Sequence, residues 1–111
     1  MTLGATKPVH ITIDPEFGRA HPLWSKNDNG TNIHIYPFSK ALIERILRWT
    51  KYWDDNYLPF SQIDDTFTQG WTPEADVDGW IKEGIKITEK MIEEDPSVTI
   101  EKKFLDYKDE N

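Results

Sequence analysis

The chain has 111 residues, enough for one domain around a single modest core, and it carries a net charge of −7. It contains no cysteine, which excludes disulfides, thiolate metal ligands and a thiol nucleophile. No segment approaches the ~20 apolar residues of a membrane span and no signal-peptide core is present, so we expect no membrane association and a cytoplasmic location. We expect one domain over residues 1–111, ordered from about residue 8 to 105, with a polar tail at 106–111.

The charge is unevenly distributed along the chain. Residues 1–53 contain seven Lys or Arg against four Asp or Glu, whereas residues 54–111 contain six against sixteen. Because the second part would repel phosphates, nucleic acid is an unfavourable partner and a basic protein is a favourable one. Simple solubility is the alternative explanation of this acidity.

Two segments in the first third alternate apolar and polar residues, which predicts strands. They are residues 9–14 (VHITID) and residues 32–36 (NIHIY). The cluster Asn27-Asp28-Asn29-Gly30 is typical of a turn. We therefore expect residues 23–24 and 33–36 to be the two arms of a hairpin.

Two later segments have helical periodicity. Residues 39–54 begin with Ser39, a favourable N-cap, and place apolar residues at steps of three and four. The second helix is expected to begin at Thr72-Pro73-Glu74 and to end before Pro96. Residues 56–71 mix Pro, Gly and Asp with isolated apolar residues, and they predict a long loop of the kind that often carries function.

A last strand is predicted within residues 97–104, where Val98 and Ile100 alternate with polar residues. The resulting order is β-β-β-α-α-β. It predicts an α+β domain in which a two-helix hairpin packs on one face of a small antiparallel sheet.

The segment EADVDGWI (74–81) resembles the first part of a calcium-binding loop. Glu74, Asp76, Asp78 and Gly79 match its first, third, fifth and sixth positions. However, the twelfth position, which needs a bidentate Glu, is Ile85. The apolar periodicity also continues through the segment, so we interpret it as the start of a helix without a metal.

His10 and His34 are predicted on the outward faces of their strands, where they define an alternative function as a metal-dependent or hydrolytic enzyme. Zinc requires three or four ligands with supporting hydrogen bonds, and nothing in the spacing provides them. No phosphate-binding loop or nucleophile elbow is present. We expect a protein that is not an enzyme and has no cofactor.

Carboxylates accumulate where the two helices are expected to meet. In an antiparallel hairpin the end of the first helix lies beside the start of the second, so the candidate partner-binding residues gather at one end of the molecule. Trp24 and Trp71 flank loops and are candidates for partial exposure. The predicted interface comprises Asp54, Asp55, Asp64, Asp65, Glu74, Asp76, Asp78 and Trp71.

The segments HPLW, YPFSKALIERILRWTKYWDDNY, GW and VDGWIKEGIKITEKMIEE, followed by a final strand, resemble small immunity proteins of bacterial toxin–immunity systems. The resemblance covers residues 9–105. It implies a cytoplasmic protein that binds and neutralises a cognate toxin, often a basic nuclease, by occluding its active site. The different-class alternative is a small acidic adaptor without a toxin partner, and the sequence leaves the oligomeric state open.

Overall fold

The computed structural model describes residues 10–26, 28, 30–63 and 66–109, with the backbone only for residues 59–63, 66–69 and 109. Its elements follow in chain order. They are β1 (His10–Ile13), β2 (Leu23–Trp24), a 3-10 helix (Ile33–Ile35), α1 (Lys40–Asn56), β3 (Tyr57–Ile63), β4 (Thr66–Trp71), α2 (Val77–Glu94), β5 (Thr99–Glu101) and a second 3-10 helix (Lys103–Asp109). The predicted α+β class is confirmed.

The first sheet has three strands in the order β2-β1-β5. Strand β1 pairs antiparallel with β2 and parallel with β5, so the expected all-antiparallel sheet is wrong in this detail. Ile11 and Ile13 are buried, as their alternation predicts. The parallel pairing joins residues almost ninety positions apart, and no local pattern specifies such a pairing.

The strand predicted at residues 32–36 is a 3-10 helix. The side chain of Asn32 accepts a hydrogen bond from the backbone N–H of His34 at 2.9 Å, and this cap favours a turn over an extended chain. Ile33 is buried whereas Ile35 is 45% exposed, so the two isoleucines do not share a buried face. The predicted hairpin between residues 23–24 and 33–36 is therefore wrong, and β2 pairs with β1 instead.

Within the predicted loop, strands β3 and β4 pair antiparallel. The register of this pair shifts between Leu58 and Ser61. Pro59 lies in this interval and has no N–H to donate to a ladder. A strand interrupted in this way lacks regular alternation, which explains why the sequence pattern indicated a loop.

Helix α1 begins where Ser39 predicts, because the Ser39 Oγ accepts a hydrogen bond from the N–H of Leu42 at 3.1 Å. Helix α2 begins later than expected. Its N-cap is Asp76, whose Oδ1 accepts from the N–H of Gly79 at 2.9 Å, so the predicted cap at Thr72 is wrong. Thr72 instead donates its N–H to the carbonyl of Asn56, which connects the end of α1 to the segment before α2.

The two helices form the predicted antiparallel pair around two tryptophans. The rings of Trp49 and Trp80 stack with centroids 4.3 Å apart and an angle of 5° between their planes. Each indole N–H donates to the backbone carbonyl of the other tryptophan, at 2.8 and 3.0 Å. This reciprocal pair satisfies both buried donors and fixes the register of α1 against α2.

Strand β5 is shorter than the segment 97–104 predicted for it, and the residues that follow it include part of the predicted polar tail at 106–111. Residues Lys103–Asp109 form a 3-10 helix in which Phe104 is fully buried and Tyr107 is half-buried. The Tyr107 hydroxyl donates to the carbonyl of Pro15 at 3.0 Å. Two aromatic residues therefore hold this segment against the core.

Candidate functional site

The end of the helix pair formed by the C-terminus of α1 and the N-terminus of α2 collects acidic side chains. The N–H of Asp76 donates to the Tyr52 hydroxyl at 2.8 Å, and Thr72 bonds to Asn56, so the two helix ends are in direct contact. The five described carboxylates of the predicted interface lie on these two adjoining segments. We call them the acidic end: Asp54, Asp55, Glu74, Asp76 and Asp78.

Asp64 and Asp65, which also belong to the predicted interface, lie outside the described residues. Their place in the interface stays a prediction. They connect β3 to β4 in the chain, and β4 leads directly to the segment before α2.

The members of the acidic end differ in their surroundings. The Lys51 ammonium lies 2.9 Å from Asp55, and both side chains are exposed. The Asp54 side chain is exposed overall, but partial burial of its carboxyl group, followed by the neighbouring charge of Asp55, raises its pKa. Asp76 caps α2, whereas Glu74 and Asp78 are exposed and form no ion pair within the described part of the chain. The exposed carboxylates of Asp54, Glu74 and Asp78 are thus the ones best placed to meet a partner.

Trp71 is half-buried, and its polar atom is already engaged. The indole N–H donates to the carbonyl of Tyr107 at 3.0 Å. Its ring contacts Trp80 edge to face with centroids 5.1 Å apart, and Tyr57 at 5.2 Å. Trp71 therefore supports the aromatic core beneath the acidic end, and a partner can reach only part of its ring.

A groove of about 470 Å³ lies between α1 and α2, next to the acidic end. We call it the interhelical groove. The residues that line it recur at steps of three and four along each segment, so each helix contributes one face. They are Arg45, Arg48, Trp49 and Tyr52 on α1, and Asp76, Gly79, Trp80 and Glu83 on α2. The sequence of either helix alone does not predict this groove, because it depends on which faces of the two helices meet.

A buried polar cluster in the segment between β1 and α1 is a second feature that the sequence did not predict. Asp28 accepts hydrogen bonds from the Tyr36 hydroxyl at 2.5 Å and from the Gly30 N–H at 2.7 Å. The guanidinium of Arg19 lies 3.6 Å from the same carboxylate. The His21 Nε2 is 3.4 Å from Asp28, and both side chains are 1% exposed.

The surroundings of His21 define its protonation. Its Nδ1 accepts the N–H of Leu23 at 3.1 Å, so the proton of the neutral ring resides on Nε2, facing Asp28. Burial lowers the pKa of His21 despite the opposing effect of Asp28. Burial alone would raise the pKa of Asp28, but the hydrogen bonds from Tyr36 and Gly30 bring it below its ordinary value. The turn-forming residues at 27–30 were the only sequence signal for this cluster. They did not indicate which side chains Asp28 would contact.

The other two histidines are separated from this cluster and from each other in the chain. His10 lies on β1 with its Nε2 3.8 Å from Glu101, and both side chains are exposed. His34 is exposed in the first 3-10 helix rather than on a strand, so the expected shared sheet face does not exist. Among the described residues, no group of three or more His, Cys, Asp or Glu side chains is arranged to hold a metal ion. None of the described helices combines the length and apolar character needed to cross a membrane.

Comparisons of the chain with protein-family models, with curated proteins and with solved structures give no match.

Proposed function

We propose that this chain is a non-catalytic protein-binding domain that recognises a basic partner through its acidic end. The observation that carries this proposal is the contact between the end of α1 and the segment before α2, made by Tyr52 with Asp76. It joins the two segments that carry these carboxylates. A concentrated negative field of this kind attracts a positively charged protein surface and accelerates encounter.

The cost of these charges to the fold supports a role in recognition. Asp54 and Asp55 lie at the C-terminus of α1, the negative end of the helix dipole, where a carboxylate costs about 0.3–1 kcal/mol. The two carboxylates also repel each other, which contributes to the raised pKa of Asp54. Folding gains little from this arrangement, whereas binding to a cationic surface would relieve the repulsion.

In its more specific form, the proposal is that the domain is an immunity protein and that its partner is a cognate bacterial toxin. The resemblance to immunity proteins and the net charge of −7 both support this form. The carboxylates would occupy the positions of substrate phosphates on a basic, nuclease-type toxin and pair with its Lys or Arg residues. Inhibition would then result from occlusion of the toxin's active site.

The test begins with affinity purification of the chain from its native host and identification of co-purifying proteins by mass spectrometry. Association rates with the captured partner are then measured at low ionic strength for the variant Glu74→Lys/Asp78→Lys. Because both side chains are exposed at the acidic end, we expect association to slow by about tenfold or more. The same pair of changes should lower the melting temperature only modestly, because a lysine in place of Asp78 in the first turn of α2 opposes the helix dipole by about 0.3–1 kcal/mol.

A matched control places the same charge change elsewhere on the two helices. Glu44 and Glu89 are exposed and lie outside the acidic end, so Glu44→Lys/Glu89→Lys should slow association much less. Reversal of Asp64 and Asp65 to Lys tests the remaining predicted interface residues in the same assay. Equal association rates for the acidic-end and control variants would show that the acidic end does not contact the partner.

A further inference from the structure

Strands β3 and β4 form a sheet of only two strands, and no other strand in the described part of the chain pairs with either. At the base of this sheet the Trp71 ring packs against Tyr57 and Trp80. Beyond the base, β3 is the only described helix or strand that contacts β4 extensively. Because a two-stranded sheet on its own is marginally stable in water, a third strand at either outer edge would stabilise this one.

The two outer edges differ in their ability to accept a strand. Strand β3 contains Pro59, which has no N–H to donate. In the same interval two residues of β3 lie opposite one residue of β4, since Leu58 pairs with Gly70 and Ser61 with Thr68. Proline and such irregularities protect an edge strand from pairing. The sequence of β4, TFTQGW, contains no proline, so its outer edge is the one that remains able to pair.

The composition of β4 also lacks the protection that charge provides. None of its six residues is charged, in a chain of which 30% of the residues are charged. Proteins commonly place lysine or another charged residue in an edge strand to prevent the addition of a further strand. Threonine, phenylalanine and tryptophan, which favour strands, make up most of β4 instead. This composition is typical of a strand that pairs on both sides.

Gly70 leaves the backbone of β4 accessible near the base of the sheet. A Cβ at this position would lie within 4 Å of no described atom beyond the neighbouring residues in the chain. Packing within the described domain therefore does not require a glycine here, in contrast to Gly84. Glycine within a strand often marks a point where another backbone approaches closely.

The charges that flank β4 in the sequence indicate which partner its edge favours. Asp64 and Asp65 precede the strand, and Glu74 follows it. Two copies of this chain that paired through β4 would bring acidic segments together in either orientation, and these segments would repel each other. An extended segment of a basic protein, with Lys or Arg on both sides of an uncharged centre, would meet opposite charges instead.

We propose that the outer edge of β4 binds an extended segment of a basic partner protein as a third strand. Main-chain hydrogen bonds along Thr66–Trp71 hold this segment, as in other cases of strand addition. The edge adjoins the acidic end, because Thr72 follows β4 directly and donates its N–H to the carbonyl of Asn56 at the end of α1. The inference rests on the proposed recognition of a basic protein and names the element that binds after electrostatic encounter.

The test uses the synthetic peptide KKTVTVTKK and amide hydrogen exchange of the ¹⁵N-labelled full-length chain, followed by NMR. In an antiparallel pair the N–H groups of a strand point alternately to the partner strand and outward, so the β4 amides should alternate between slow and fast exchange in the free chain. The peptide should slow the fast amides of β4 by about tenfold or more. The fast amides of β3 should be unchanged.

Two control peptides separate strand addition from charge. KKTPTPTKK has the same charge but lacks two N–H groups, so it should leave the β4 amides fast. EETVTVTEE retains the strand-forming centre with acidic flanks, and it should protect β4 at least about tenfold less. Equal protection by EETVTVTEE would overturn the basic occupant. Equal shifts of acidic-end signals with both basic peptides, without protection of β4, would overturn strand addition and leave the proposed function intact.

A proline at an outward N–H provides a matched pair of variants. Free-chain exchange identifies which of the neighbouring pairs Ser61–Thr68 and Gln62–Phe67 directs its N–H groups outward. The β4 member of that pair is replaced, as Thr68→Pro or Phe67→Pro, and KKTVTVTKK should bind about tenfold more weakly because a hydrogen bond is lost and the ring obstructs the edge. Ser61→Pro or Gln62→Pro, at the β3 member, should bind the peptide as the unmodified chain does.

Three results of these measurements would overturn the proposal. The first is that the fast amides of β4 stay fast with KKTVTVTKK, and the second is that those of β3 are protected instead. The third is slow exchange of all β4 amides in the free chain, which would show that a second copy or another segment of this chain already occupies the edge.

Discussion

Gly84 lies where α2 packs closely against the Phe104 and Trp49 rings, and its replacement by alanine tests this packing directly. A Cβ at this position would lie 2.5 Å from the Phe104 ring and 2.8 Å from the Trp49 ring. Both rings are buried, and neither can move without displacing other aromatic residues. We therefore expect Gly84→Ala to destabilise the domain.

Two opposing contributions determine the size of this effect. Alanine favours a helix over glycine by about 1 kcal/mol, whereas overpacking of a well-filled core costs about 1–3 kcal/mol. Since both close contacts involve rigid rings, we place the overpacking cost near the upper end of its range. The free energy of unfolding should therefore fall by about 1–2 kcal/mol in total. For a domain of this size the melting temperature should fall by about 4–8 °C.

The assay is thermal unfolding followed by circular dichroism for Gly84→Ala, Phe104→Leu and the double variant. Leucine removes the ring edge closest to Gly84, so alanine at position 84 should cost less in the Phe104→Leu background, with a coupling of about 0.5 kcal/mol or more. A melting temperature of Gly84→Ala equal to or above that of the unmodified chain would refute the described contact. Additive effects in the double variant would show that the collision involves another side chain.

Two further predictions concern the buried cluster and the first helix cap. The pKa of His21 is lower in the folded state than in the unfolded chain, so the unfolded chain binds a proton more readily. The folded state is therefore most stable above the unfolded pKa of His21, and it loses stability as the pH falls towards the folded pKa. Melting temperatures measured from pH 7 to pH 5 should therefore decrease more steeply for the unmodified chain than for His21→Gln, and parallel profiles would contradict this account. Ser39 caps α1 and its hydroxyl donates to Glu94 at 2.7 Å, so Ser39→Ala should cost about 1 kcal/mol in chemical unfolding. Ser39→Thr retains the hydroxyl and is the matched control, and equal losses in both variants would exclude the cap as the cause.

The two helices could be predicted from local sequence patterns alone. Apolar residues at steps of three and four predict α1 and α2, and Ser39 predicts the start of α1 to the residue. Helical contacts are local, so the periodicity of a segment carries nearly all the information that is needed. The antiparallel pairing, and with it the adjoining positions of Asp54 and Asp76, follows from two long helices in one small domain.

The sheet and the candidate sites depended on contacts between distant parts of the chain. Residues 33–35 alternate as a strand does, but the Asn32 cap makes them a 3-10 helix. Likewise, the parallel partner of β1 comes from the other end of the chain. Strand assignment depends on which neighbour completes the hydrogen bonds, and a single segment does not contain that information.

By itself, the sequence determined the fold class, the two helices, the acidity of the second half and the absence of thiol chemistry. The tertiary structure alone decided how these parts combine. It placed His21 against Asp28 in a buried cluster, brought together the faces of α1 and α2 that line the interhelical groove, and bound the segment around Tyr107 to the core. The reason is physical: charge and periodicity are properties of residues along the chain, whereas burial, pKa shifts and grooves arise only when separate segments pack together.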